Sequence, residues 1–221
     1  MTTALPAQLP RYGVGDELAS SLIHGVGILL SIAGLATLVA LAALHGDARA
    51  VTASAVYGGS LVLLYTASTL YHAVRNAPAR RWLRVLDHMA IYVLIAGTYT
   101  PFTLVALPGA WGWSLFGTIW TLALLGSALE LGLLGHRRAL AALLYVAMGW
   151  VGMVAFKPLL AHLQLGGMVL LIAGGVAYTL GVPFYLWRRM PYHHTVWHVF
   201  VLTGSVLHFM AVLLYVLPGG A

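Results

Sequence analysis

Apolar residues fill the chain in seven long runs, at about 18–44, 51–74, 83–107, 111–134, 138–160, 165–187 and 194–217. Short stretches rich in Gly, Pro or charge divide them: "HGDARA", "RNAPARRW", "LPGAWG", "GHRR", "AHLQLGG" and "WRRMPYHH". A hydrocarbon core about 30 Å thick takes roughly 20 helical residues. A helix also satisfies its own backbone polar groups, which lipid cannot do. Each run is long enough to cross, so the pattern predicts an all-α integral membrane protein, a seven-transmembrane helix bundle. The expected organisation is a short polar tail over 1–16, one transmembrane domain over 17–217 and a C-terminal tail over 218–221. The first run is too long for the apolar stretch of a signal peptide, so it is expected to be a retained span. Pro101 and Pro183 fall inside runs and predict packing kinks.

Composition sharpens this picture in three ways. Of 221 residues, 61% are hydrophobic and 7% charged, which excludes a soluble domain with a water-facing surface. The net charge of +6 comes from basic residues in short loops, where they set topology, so nucleic-acid binding is not expected. Alternate loops hold Arg11, Arg75, Arg80, Arg81, Arg84, Arg137, Arg138, Arg188 and Arg189 on one side, against Arg49 and Lys157 on the other. Positive loops stay in the cytoplasm, which predicts a cytoplasmic N-terminus and a C-terminus outside. The loop holding Arg75, Arg80, Arg81, Arg84 and Trp82 is expected to meet anionic headgroups. With no cysteine, any metal would need His, carboxylate or water as ligands.

On that topology the polar residues of the spans fall into one layer. Glu17 and His24 begin the first run, Ser68 and His72 end the second, Asp87 and His88 begin the third, and His194 and His198 begin the seventh. All of these ends are predicted to be cytoplasmic. Residues four apart share a helix face, which pairs Ser68 with His72 and His194 with His198. Two imidazoles so spaced can approach one metal ion. The chemical reading is a zinc site of His72, His194 and His198 with water in the fourth position, the open pattern of catalytic zinc. Asp87 would accept a hydrogen bond or proton from that water, and Ser68 would donate to a substrate carbonyl or to Asp87. His208, fourteen residues beyond His194 and about 21 Å along the helix, is expected to lie deep in the bundle interior. His45, His136, His162 and His193 are read as interfacial. Glu130 fits two readings, interfacial or supporting the polar cluster.

"ELASSLIHGVG" (17–27), "STLYHAV" (68–74), "LDHMAIYVLIAGTYTPF" (86–102) and "HTVWHVFVLTGSVLHF" (194–209) resemble the motifs of the hemolysin III family. That family belongs to the progestin and adipoQ receptor superfamily. The resemblance implies a seven-helix bundle with zinc near the cytoplasmic face of a bacterial inner (plasma) membrane. Its serine–histidine motif falls on Ser68 and His72, its aspartate on Asp87, and its paired histidines on His194 and His198. Its supporting polar residues fall on Glu17, His24 and His208. The implied chemistry is zinc-assisted cleavage of a lipid amide or ester. A regulator of membrane lipid state with structural zinc, or a cytolysin, are the alternative expectations.

Overall fold

The computed structural model describes residues 12–134 and 137–218. Arg11 and His136, with the ends of both expected tails, lie outside the described residues. Seven helices are long and apolar enough to span a bilayer. They are α1 (Val14–His45), α2 (Ala48–Ala73), α3 (Ala77–Ala106), α4 (Gly109–Gly132), α5 (Arg138–His162), α6 (Leu165–Leu186) and α7 (His193–Val216). They follow the seven apolar runs, and no strand occurs among the described residues.

Local signals account for the helix starts. The Asp47 side chain accepts from Ala50 N at 2.9 Å and caps α2, and Asn76 accepts from Ala79 N at 3.0 Å and caps α3. Helix α1 begins at Val14, before its apolar run, so Asp16 and Glu17 occupy its first turn. Negative charge is favoured there by the helix dipole. The buried positions of α1 are Asp16, Ser20, His24, Gly27, Ser31, Gly34, Leu38 and Ala42. This stripe at helical spacing is small and polar, whereas Leu18, Leu22 and Leu29 are exposed. Lipid solvates leucine, so small residues go inward, where helix backbones approach closely.

Helix α1 packs along α2 on one side and α7 on the other, α2 packs on α3, and α6 packs on α7. The starts of α1, α3 and α7 and the end of α2 therefore meet at one end of the bundle. Two spans depart from regular geometry. Pro101 leads into a π-helical turn over Phe102–Ala106, so the helix loosens instead of ending. Helix α5 passes through a 3₁₀ stretch at Val151–Ala155, where Pro158 cannot donate to the Val154 carbonyl. There Tyr99 of α3 inserts its phenol, donating to the Gly149 carbonyl at 2.6 Å and accepting from Gly152 N at 2.7 Å. Freed backbone groups are thereby satisfied by a side chain.

Rotation of α7 is fixed by Ser205. The Tyr65 hydroxyl of α2 donates to Ser205 Oγ at 2.8 Å, and the Tyr178 hydroxyl of α6 lies 2.7 Å from the same atom. His198 is seven residues earlier, two turns along the same face. Interhelical hydrogen bonds in membranes contribute modestly, about 0.6 kcal/mol on average with a maximum near 2. Ser205→Ala strands two buried phenols, so it should destabilise the bundle by about 1–2 kcal/mol. Equilibrium unfolding in mixed micelles measures this, and an unchanged midpoint would show that the tyrosine cluster does not hold α7.

Candidate metal centre

The site is assembled from the first turn of α1. Glu17 Oε2 accepts from His72 Nδ1 at 2.6 Å, and Glu17 Oε1 accepts from the Arg80 guanidinium. One carboxylate thus joins α1 to the end of α2 and the start of α3. Beside it, Asp16 caps α7: its Oδ1 accepts from Thr195 N at 3.2 Å and from the Thr195 hydroxyl. Ser20 Oγ stands 3.2 Å from Thr195 Oγ1. Two adjacent acidic residues therefore dock α1 onto all three helices that bear the site.

The backbone entering α7 contributes as well. Tyr192 is left-handed (φ 55°), the only non-glycine residue with positive φ among the described residues. Such a conformation costs about 1–3 kcal/mol and persists only where surroundings enforce it. Its phenol packs against Gly15, where a Cβ would collide with it. The turn delivers His193 and His194 directly into the bundle.

His72, His194 and His198 are buried, and their ligand-capable nitrogens all lie within 4.8 Å of one another. Nε2 of His72, Nε2 of His194 and Nδ1 of His198 are buried without a hydrogen-bond partner. Leaving three such atoms unpaired in a membrane interior is costly. The opposite nitrogens explain which lone pairs are free. A proton on His72 Nδ1 is held by Glu17, leaving Nε2 as a lone pair. His194 Nδ1 is 3.3 Å from the Tyr12 hydroxyl, and the Ser20 backbone lies against the His198 ring. A carboxylate such as Glu17 is a usual outer partner of a metal-bound histidine. Three neutral nitrogen donors fit a borderline-soft divalent ion such as zinc.

Other expected residues divide. Asp87 is buried against Ser68, within electrostatic reach of His72 and outside the three-histidine group. Ser68 Oγ is buried beside the Asp87 carboxyl. Both line a cavity of about 110 Å³ with His194 and His198. His24 stacks on His198, centroids 3.7 Å apart and planes at 14°, and meets Tyr65 edge-on. His208 lines the same cavity and a second one of about 70 Å³, and its Nε2 donates to the Leu171 carbonyl at 3.0 Å. Gly174 makes room for that ring, because a Cβ there would overlap it. His208 is thus a cavity residue and not a member of the histidine group.

Three sequence expectations change, and the open choice at Glu130 is decided. His193 is not interfacial: it is buried, and its Nδ1 donates to the Phe184 carbonyl at 3.1 Å, closing the end of α6. Glu130 is buried and accepts from His88 Nδ1 at 2.7 Å, so it belongs with the interior polar residues. In the basic loop, Arg80 turns inward to Glu17 and Arg84 is buried, while Arg75 is exposed. Asp16, expected in the tail, is a structural cap. His45 and His162 are exposed, as interfacial residues should be.

Tyr12 was not signalled by the sequence, since it precedes the apolar run. Its ring stacks on His194 at 4.6 Å and lies 6.0 Å from His72, covering the group from the loop side. Its oxygen also accepts from the Arg138 guanidinium at 3.2 Å. Burial pushes the phenol above its ordinary pKa, against the pull of Arg138, so it is neutral at pH 7.

The haemolysin-III related family matches residues 12–209 of the chain. Hemolysin-3 of Bacillus cereus is 46% identical over 205 residues, 93% of this chain and 94% of that protein. Hemolysin-3 homolog of Bacillus subtilis is 42% identical over 204 residues, 92% and 96% of the two chains. The human monocyte to macrophage differentiation factor is 28% identical over 171 residues, 72% of this chain and 68% of its own. No solved structure matches.

Metal analysis of purified protein tests the donor set. Wild type should retain stoichiometric zinc, His72→Ala and His198→Ala should lose it, and His208→Ala should keep it. Equal zinc in all four proteins would remove the site.

Proposed function

Because the chain belongs to the haemolysin-III related family and spans the membrane seven times, we propose that its buried histidine group serves a zinc-dependent hydrolase acting on a lipid amide or ester. In this reading the protein sits in the bacterial inner membrane with its N-terminus and site at the cytoplasmic face. The observation that carries it is the set of three clustered, unpartnered imidazole nitrogens, two of whose residues, His194 and His198, line the same cavity as Asp87 and Ser68.

His72, His194 and His198 would hold the ion, and Glu17 would orient His72. When bound, zinc supplies Lewis acidity and brings the pKa of a coordinated water to about 7. Everything else falls to the chain's own residues. Asp87 takes a proton from the attacking water as the new carbon–oxygen bond forms. It returns that proton to the nitrogen or oxygen of the leaving group as the old bond breaks. The Ser68 hydroxyl donates to the carbonyl oxygen, where negative charge develops. Leu94, Ile95 and Val201 line the cavity and exclude water around the acyl portion.

A second reading is favoured by Tyr12, which covers the histidines: a regulator of membrane lipid state in which the metal only braces α2 and α7. One variant separates the two. Asp87→Asn should keep zinc and fold while losing about 10²–10⁴-fold in release of fatty acid from lipid amides and esters. Loss of hydrolysis confined to zinc-depleted protein, with Asp87→Asn as active as wild type, would exclude Asp87 from catalysis. Absence of hydrolysis in zinc-replete wild type across both lipid classes would favour the brace. A cytolytic role, which the names of the two Bacillus relatives bring to mind, predicts dye release from liposomes by added protein.

A further inference from the structure

At the same end of the bundle, a feature lies beyond the catalytic group. Arg137 and Arg138 at the start of α5, and Arg188 just past α6, line one open cleft of about 590 Å³. Ala139, Leu140, Tyr185 and Leu186 complete its walls, and no carboxylate lines it among the described residues. Arg137 and Arg188 are exposed, and the two leucines are 39% and 41% exposed. None of the three arginines takes part in an ion pair found among the described residues, all of which use Glu17 or Glu130.

Guanidinium groups match phosphate geometry with paired N–H donors. Leucine beside them has no use to a free phosphate ion, but it suits a phosphate that carries acyl chains. Trp187, the residue after Leu186, is 56% exposed and is an aromatic of the kind that sits at headgroup level.

The cleft is also wired to the histidines. Arg138 lies 5.8 Å from the centre of the Tyr185 ring and donates to the Tyr12 oxygen at 3.2 Å. The Tyr12 hydroxyl is in turn 3.3 Å from His194 Nδ1 and its ring stacks on that imidazole. One arginine of the cleft therefore holds the residue that covers a candidate metal ligand.

We propose that this cleft binds the phosphate of an anionic membrane lipid, and that its occupancy loosens the cover over the histidine group through Arg138 and Tyr12. The coupling rests on the metal reading above; the lipid site does not. The Arg138–Tyr12 bond carries charge on its donor alone, whereas a phosphate bears the opposite charge and can accept two parallel N–H bonds from one guanidinium. A phosphate in the cleft thus draws the Arg138 guanidinium outward, and Tyr12 loses the donor that fixes it over His194.

The full chain, loaded with zinc, is placed in phosphatidylcholine vesicles, in the same vesicles with phosphatidylglycerol, and in phosphatidylcholine with inorganic phosphate. Two quantities are read: phosphatidylglycerol retained per chain, and the rate of zinc transfer to a chromogenic chelator. Phosphatidylglycerol should be retained and should speed transfer several-fold, and inorganic phosphate should do neither. Arg188→Gln, which touches neither Tyr12 nor a histidine of the group, should lose both effects. Tyr12→Phe should retain the lipid while transferring zinc at the fast rate in every vesicle. Retention by Arg188→Gln equal to wild type would overturn the site, and equal transfer rates for wild type in the two lipids would overturn the coupling. Inorganic phosphate acting as well as phosphatidylglycerol would overturn its assignment to a lipid. A chain that holds no zinc in any vesicle would sink the metal reading and the coupling together, leaving lipid retention to decide the cleft. Lipid-dependent zinc transfer in a protein without hydrolytic activity would keep this inference and remove the hydrolase.

Discussion

The Glu17 carboxylate is bonded on both oxygens, to His72 on α2 and to Arg80 on α3. Removing it would free three groups at once. His72 would lose the partner that fixes which nitrogen carries the proton, Arg80 would be left a partly buried cation, and α1 would lose its tie to α2 and α3 at this end. A single partner removed from a buried charge pair costs more than the pair contributes, because the other charge stays behind without compensation. The side chain of His72 is fully buried, and those of Glu17 and Arg80 are 15% and 18% exposed, so water offers only partial relief.

Asp16, one residue earlier, does the corresponding work for α7 by accepting from Thr195. Thr195 lies between His194 and His198 in sequence, so the cap and the two imidazoles share one turn and a half of helix. Nearer the middle of the bundle, Tyr65 and Tyr178 on Ser205 set the rotation of α7 against α2 and α6. Clamped at one end and indexed in the middle, α2 and α7 present their histidines to one point. A metal ion there would replace the lost hydration of three nitrogens that the protein itself leaves unpaired.

Much of this was legible in the sequence because lipid imposes simple rules. A run of apolar residues has to be a helix, and loop charge fixes which helix ends share a side. With those two rules, His72, His194 and His198 could be brought together from distant positions, and the four-residue spacing named the shared face. Partner identity was less accessible. Asp16 and Tyr12 precede the apolar run, where composition resembles a tail, and only tertiary packing gives them partners, on α7 for both and also at the start of α5 for Tyr12. His88 and Glu130 are 42 residues apart, and no local pattern pairs them. His193 has Trp197 four residues on, which made it look peripheral. The left-handed turn at Tyr192 instead tucks it beneath the Phe184 carbonyl.

The proposed metal centre consists of these three imidazoles in their present protonation. X-ray absorption at the zinc K-edge on the full-length protein in lipid addresses it directly. Zinc held by His72, His194 and His198 would show three imidazole nitrogens at about 2.0–2.1 Å with one further light atom completing the shell. A shell made of oxygens alone, or one with fewer imidazoles that is unaltered in His194→Ala, would contradict it.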